Sequence, residues 1–349
     1  MVAFPRLQAV LPLVLNASAA LAHGGHHWGP EKWRTLITFG NSYTDDTRLQ
    51  YFEGHHGNPP PVGWKEPVSN DTYSGGYNWG YFASQFANVT RFNYAVSGAP
   101  CSNKITPRFY EPINAPYPSV LEYEIPAYLA DSKYVDPSGN KFMDINANET
   151  VYAIWIGTND IGSDAFLTDS QVKGTTIPDY IACVYKALDS MYADGARYFV
   201  IMNLAPLQLA PQYATPENGG QVSTDGTNVT EKSYRMWESV VTINDVYRYK
   251  TPYEKIVARR YPGAQLAVMD MYGLIWEIYH NPEQYLDAPA NVTGYAKHCD
   301  RATGHCERLP NEHSFLWFDG LHPSERTDEI IGKEFVNVVM GNSSYAEYW

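Results

Sequence analysis

Beyond residue 22 the chain has no apolar run long enough to cross a bilayer, which excludes a membrane-spanning helix and any stable membrane association built on one. Positive charge is scarce: 25 Lys and Arg stand against 38 Asp and Glu, for a formal net charge of -13. That balance argues against nucleic acid and anionic lipid surfaces, which recruit Lys and Arg, and disfavours polyanionic substrates. No internal repeat or low-complexity segment divides the chain. Cysteine is sparse as well; there are four, none in a Cys-x-x-Cys pair, which disfavours a zinc site. A neutral small molecule is the partner that survives these absences.

What is present suffices for one large core, since 44% of the 349 residues are hydrophobic and α/β folds of this size are often single domains. Residues 1 to 22 read as a secretory signal: Arg6 precedes an apolar stretch around Ala9 to Leu15, and Ala20-Leu21-Ala22 fits a small-x-small cleavage site. The mature chain, 23–349, is expected to form one domain. Its start, His23-Gly24-Gly25-His26-His27, lacks a third-ligand context, so no metal is assigned to it. Six sequons, at Asn70, Asn88, Asn148, Asn228, Asn291 and Asn342, agree with a glycosylated, extracellular protein. Four cysteines can pair in three ways. The short spacing of Cys299 and Cys306 favours 299–306 and leaves 101–183.

Strand runs are expected at Thr35–Gly40, from Arg91 into a Gly98-Ala99-Pro100 turn, and at Thr150–Ile156, Tyr198–Leu204 and Ala264–Met269, the last taken as the final core strand. Helical patterns lie between them: up to Ala87, over Ser119–Ala130, over Asp179–Asp194, from Glu231 to Arg260 with a break at Pro252, and over Tyr272–Tyr279. A last amphipathic helix follows Ser324 as N-cap and stops at Gly341, while 281–323 reads as irregular and cysteine-stapled. Strands alternating with helices imply a doubly wound, flavodoxin-like, three-layer α/β/α sandwich with a central parallel sheet.

Three strand runs end on polar segments, where open α/β sheets place reactive groups: Gly40-Asn41-Ser42, Ser97-Gly98 and Gly157-Thr158-Asn159-Asp160. Near the C-terminus, Asp319-Gly320-Leu321-His322-Pro323 sets an acid three residues before an imidazole. A serine hydroxyl needs a base and the base needs an orienting acid, so Ser42, His322 and Asp319 fill the three catalytic roles. The Ser42 N–H, the Gly98 N–H and the Asn159 amide are the candidate oxyanion donors. No metal or organic cofactor is required.

In these blocks the chain resembles the GDSL or SGNH hydrolases, with Ser42, Gly98, Asn159 and His322 in the order of the four residues that name the latter group. The resemblance covers essentially the whole mature chain. Within the family it is most similar to the secreted fungal acetylesterases of carbohydrate esterase family sixteen, through Ser42-Tyr43-Thr44 and Asn93-Tyr94-Ala95-Val96-Ser97-Gly98-Ala99. It implies an esterase acting on acetylated oligosaccharides derived from hemicellulose, or on other small esters. One departure stands out: the family's Gly-Asp-Ser-Leu reads Gly40-Asn41-Ser42-Tyr43 here. Asn41 keeps the shape of Asp without its charge, so altered loop contacts or pH response are expected instead of lost activity.

The chain carries 28 Tyr and 9 Trp, which suits sugar handling, with Tyr43, Trp64, Tyr110 and Trp317 as candidates near the motifs. Two other functions compete. A secreted lipase or phospholipase on the same scaffold would need an apolar entrance for acyl chains, whereas the loops here are rich in Tyr, Asn, Gly and Pro. A non-catalytic carbohydrate-binding protein would be marked by a missing nucleophile, base or oxyanion donor, and none is missing.

Overall fold

A computed structural model describes residues 28–220, 228–300 and 303–349. The signal segment and the His23–His27 run lie outside the described residues. β1 (Thr35–Gly40) is buried along its whole length, as a β-branched and apolar run covered on both faces must be. β2 (Thr90–Asn93) and β3 (Thr150–Trp155) pair with it in parallel, one on each side. β4 (Tyr198–Met202) and β5 (Gln265–Met269) extend the parallel ladder beyond β3. The order 2-1-3-4-5 is the flavodoxin-like one, with its switch point at β1 between β2 and β3.

The sheet is not wholly parallel. A sixth strand, Ala346–Tyr348, adds antiparallel to β5, so Ala264–Met269 is not the last strand. Three residues of mixed polarity carry no readable period. The pairing is held by backbone bonds across the ladder, Leu266 N–H to Trp349 O at 2.9 Å and the reverse at 2.8 Å.

Alternate side chains of β3 enter opposite helical layers. The Tyr152 ring meets Tyr128 of α3 (Ile125–Asp131), and the Trp155 ring meets Trp79 of α2 (Trp79–Ala87). α1 (Arg48–Gly54) follows the β1 turn; α4 (Ile177–Ala193) packs against α3, and α5 (Val229–Pro252) against α4. α6 is Met271–His280. α7 (Glu325–Val339) starts at Ser324, whose side chain accepts the Thr327 N–H, and ends before Gly341, at φ 69°.

Two helical segments depart from expectation. Ser119–Ala130 is not one α-helix: a wide π-type turn, Val120–Glu124, precedes α3, because Pro126 has no N–H to donate within the winding. At Pro252 the winding widens in the same way into Tyr253–Val257 instead of breaking. The 281–323 region also holds more order than its sequence suggests: Asn291–Tyr295 pairs in parallel with Phe315–Trp317, and Cys299–Cys306 closes a small hairpin. Cys101–Cys183 ties the loop after β2 to α4, so both expected pairings are present.

Candidate active site

The carboxyl ends of β1, β2 and β3 lie side by side because the strands are neighbours in the sheet. At the end of β1 the chain turns sharply: the Asn41 carbonyl accepts the N–H groups of Thr44 and Asp45, both at 2.9 Å. Asn41 Oδ1 accepts the Tyr43 N–H at 3.0 Å, an acceptance a carboxylate would also make. Its Nδ2 is buried without a partner, so the exchange of Asp for Asn adds an unsatisfied donor beside Ser42. The turn leaves Ser42 8% exposed.

Ser42 Oγ lies 2.8 Å from His322 Nε2, and His322 Nδ1 lies 2.8 and 2.9 Å from the two oxygens of Asp319. With the ring proton on Nδ1, the imidazole donates to the carboxylate and accepts from the serine hydroxyl. The i, i+3 spacing works because Asp319 Oδ1 also accepts the N–H groups of Leu321 and His322, each at 2.8 Å. Burial works against ionisation of Asp319. The adjoining His322 ring and those N–H groups outweigh it and hold the carboxyl below the usual carboxylate range.

Two tyrosines bracket the imidazole. Tyr43 meets it edge-on with ring centres 5.6 Å apart, and its hydroxyl donates to the Leu321 carbonyl at 2.9 Å. Tyr73 lies 5.1 Å from the ring and is 42% exposed, so it forms part of the site's open rim.

At the end of β2, Gly98 has φ 79°, and the Tyr117 ring occupies the space where a Cβ would stand, 2.2 Å from that position. Glycine is required there on both counts. At the end of β3, Asn159 Nδ2 donates to the Ala99 carbonyl at 3.0 Å, which leaves its second amide hydrogen free for another acceptor. Asp160 beside it accepts the Cys101 N–H and the Thr106 hydroxyl, and burial pushes its carboxyl up to about 6. The Ser42 and Gly98 segments are joined by Asp45, which accepts the Ser97 N–H and hydroxyl, both at 2.7 Å.

Of the aromatic candidates, Tyr43 and Trp317 are buried and support the site from beneath. Trp64 lines a cavity of about 240 Å³ at the outer edge of β2 with Arg48 and Glu66; none of Ser42, Gly98, Asn159 and His322 lines it. Tyr110 stacks on Tyr117, ring centres 4.4 Å apart, and so backs the Gly98 turn. Sequence reasoning missed Tyr73, Tyr117 and Arg108. Each contacts the site through long-range packing, and only the Tyr73-Ser74-Gly75-Gly76 turn gave a local cue.

The GDSL-like lipase/acylhydrolase family model matches residues 36–335. An acetylesterase from Hypocrea jecorina is 40% identical over 326 residues, covering 91% of this chain and 92% of its own. A second acetylesterase, from Thermothelomyces thermophilus, is 30% identical over 52% of this chain and 58% of its own. Among solved structures, a GDSL-like lipase from Parabacteroides merdae matches with a TM-score of 0.43 at 12% identity, over 91% of this chain and all of the other. At that distance the structural likeness carries no functional information. The family match spans most of the chain and the first relative nearly all of it: the chain belongs to the GDSL-like lipase/acylhydrolase family and is a carboxylic ester hydrolase.

Proposed function

We propose that the protein is a secreted acetylesterase that removes acetyl groups from hemicellulose-derived oligosaccharides, with Ser42 as nucleophile, His322 as base and Asp319 as orienting acid. The unbroken hydrogen-bonded chain from Ser42 Oγ through His322 to Asp319 carries this reading. Ser42 Oγ attacks the ester carbonyl as His322 Nε2 takes the hydroxyl proton. The negative charge gathers on the former carbonyl oxygen, held by the N–H groups of Ser42 and Gly98 and the free amide hydrogen of Asn159. Its collapse breaks the bond to the sugar oxygen, which leaves with the proton from His322. Water repeats the sequence on the acetyl-serine and releases acetate.

Acetyl preference is supported by the two acetylesterase relatives and by the polar and aromatic groups beside the site, Tyr73 against His322 and Arg108 over Tyr117. Secretion is supported by the two disulfides, which persist in oxidising compartments, and by the exposure of Asn70, Asn88, Asn148, Asn228 and Asn342. Asn291 is half-buried and its side chain accepts the Gly294 N–H at 2.7 Å, so it is expected to stay unmodified.

Acetate release from acetylated xylo-oligosaccharides and short nitrophenyl esters, compared between the parent and Ser42→Ala, tests the reading. Activity is expected on acetyl esters, with essentially none in the variant; equal activity in both removes Ser42 as nucleophile. A chain-length series that peaks on long acyl groups would replace the acetylesterase with a lipase.

A further inference from the structure

Arg108 belongs to no motif and does not touch Ser42, His322 or Asp319, yet one of its nitrogens joins the two outlying oxyanion donors. Nη1 donates to Asn159 Oδ1 at 2.7 Å and to the Gly98 carbonyl at 2.9 Å. The first bond decides which end of a nearly symmetric carboxamide faces which way. With Oδ1 against the guanidinium and one Nδ2 hydrogen on the Ala99 carbonyl, the other hydrogen is the only donor left to offer. A flipped amide would set its NH2 group against a cation. The charged partner also draws electron density through the amide, which strengthens the remaining N–H as a donor. The second bond anchors the carbonyl side of Gly98 in its left-handed conformation.

Arg108 is itself held in place. Its guanidinium lies over the Tyr117 ring, 5.1 Å from the centroid, and the same ring fills the space beside Gly98. Tyr117 stacks on Tyr110, whose hydroxyl donates to Glu53. Arg108 and Tyr117 flank the short antiparallel pair Phe109–Tyr110 and Ala115–Pro116, joined at its base by Tyr117 N–H to Arg108 O at 2.8 Å. The hairpin therefore presents the guanidinium and the ring to the oxyanion side as one piece.

We propose that Arg108 is a positioning residue for ester hydrolysis: it fixes the Asn159 carboxamide and the Gly98 turn in donor geometry and adds positive potential where the oxyanion develops. The proposal rests on Gly98 and Asn159 being oxyanion donors. Because both acylation and deacylation pass through an oxyanion, its loss should lower kcat and leave KM nearly alone.

The test compares Arg108→Ala, Arg108→Lys, Asn159→Ala and the Arg108→Ala/Asn159→Ala double variant on 4-nitrophenyl acetate, with melting temperatures measured alongside. Arg108→Ala is expected to lower kcat by about tenfold to a hundredfold, less than loss of a direct oxyanion donor, with KM changed by less than about threefold. Arg108→Lys should recover part of the loss, as should guanidinium added to Arg108→Ala below its unfolding concentration. In the Asn159→Ala background the arginine change should cost several-fold less than in the parent, because the part of its effect that runs through that amide is already gone. A kcat within twofold of the parent in Arg108→Ala overturns the proposal. So does a loss that tracks the folded fraction, gains nothing from lysine or guanidinium, and adds fully to Asn159→Ala. If Asn159→Ala itself leaves kcat unchanged, the oxyanion assignment fails, and Arg108 fails with it as a positioning residue.

Discussion

The serine side and the histidine side of this site are built by opposite means. Around Ser42 the turn is anchored by buried side chains drawn from distant parts of the chain. Asp45 reaches Ser97, Asp46 pairs with Arg91, Asn78 donates to the Thr44 carbonyl at 2.8 Å, and Arg48 donates to the Asn93 carbonyl at 2.6 Å. Burial pushes Asp45 up against the four hydrogen bonds that favour its ionised form. Beneath β1, Glu124 accepts the Gly40 N–H at 3.0 Å, and burial raises its carboxyl well above the usual range. On the histidine side the acid and base are held by bonds inside one tight turn, which Tyr43 and the Gln212 N–H tie to the rest through the Leu321 and Gly320 carbonyls. In the first region, stability and geometry depend on the same long-range bonds; in the second, the acid–base geometry rests on bonds between residues three or fewer positions apart.

The sharpest test of that contrast is Asp319→Asn. Oδ1 can still accept the turn's N–H groups, while the imidazole loses its proper tautomer, so kcat should fall about a thousandfold to ten-thousandfold with the melting temperature near the parent's. A large drop in melting temperature would break the comparison. Arg91→Ala is the counterpart: it leaves the Asp46 charge buried without its cation, and denaturant unfolding should show a loss of about 3–5 kcal/mol, with kcat of the folded fraction lowered as well.

Asp160 gives the next effect, through pH. Burial raises its folded carboxyl to about 6, above its ordinary value of 3.8. The folded state therefore holds the proton more tightly than the unfolded chain. Its contribution is complete below about pH 4 and is lost as pH rises through about 6, a change of about 3 kcal/mol. Asp160→Asn should flatten stability across that window; an unchanged slope would assign the pH response elsewhere. The smallest effect belongs to Cys299→Ser with Cys306→Ser. That bridge closes a separation of only 7 residues on exposed chain, so about 2 kcal/mol of stability should go and kcat should hold.

The same division explains what was legible in the sequence. Ser42, Gly98 and Asn159 could be read because each follows a strand, and a strand end is a local pattern. Asp319 and His322 could be read because i, i+3 on a Gly-containing turn already implies contact. Arg108 could not: it reaches Asn159 across 51 residues from an aperiodic Pro- and Tyr-rich segment. Nor could Ala346–Tyr348, whose strand character comes from β5 and not from its own side chains. Asn41 was visible as a departure from Asp, but its unsatisfied Nδ2 follows from what the finished core sets around it.

Four successive positions, Asp319 to His322, encode both members of the acid–base pair and the backbone donors that hold the acid. The pair is thus inherited as one cassette. A single insertion or deletion inside it silences both functions together, whereas Phe318–Pro323 is the shortest stretch that a loop graft would have to carry into a related scaffold. The serine side offers no such unit, since its anchors are scattered through the chain and must change together.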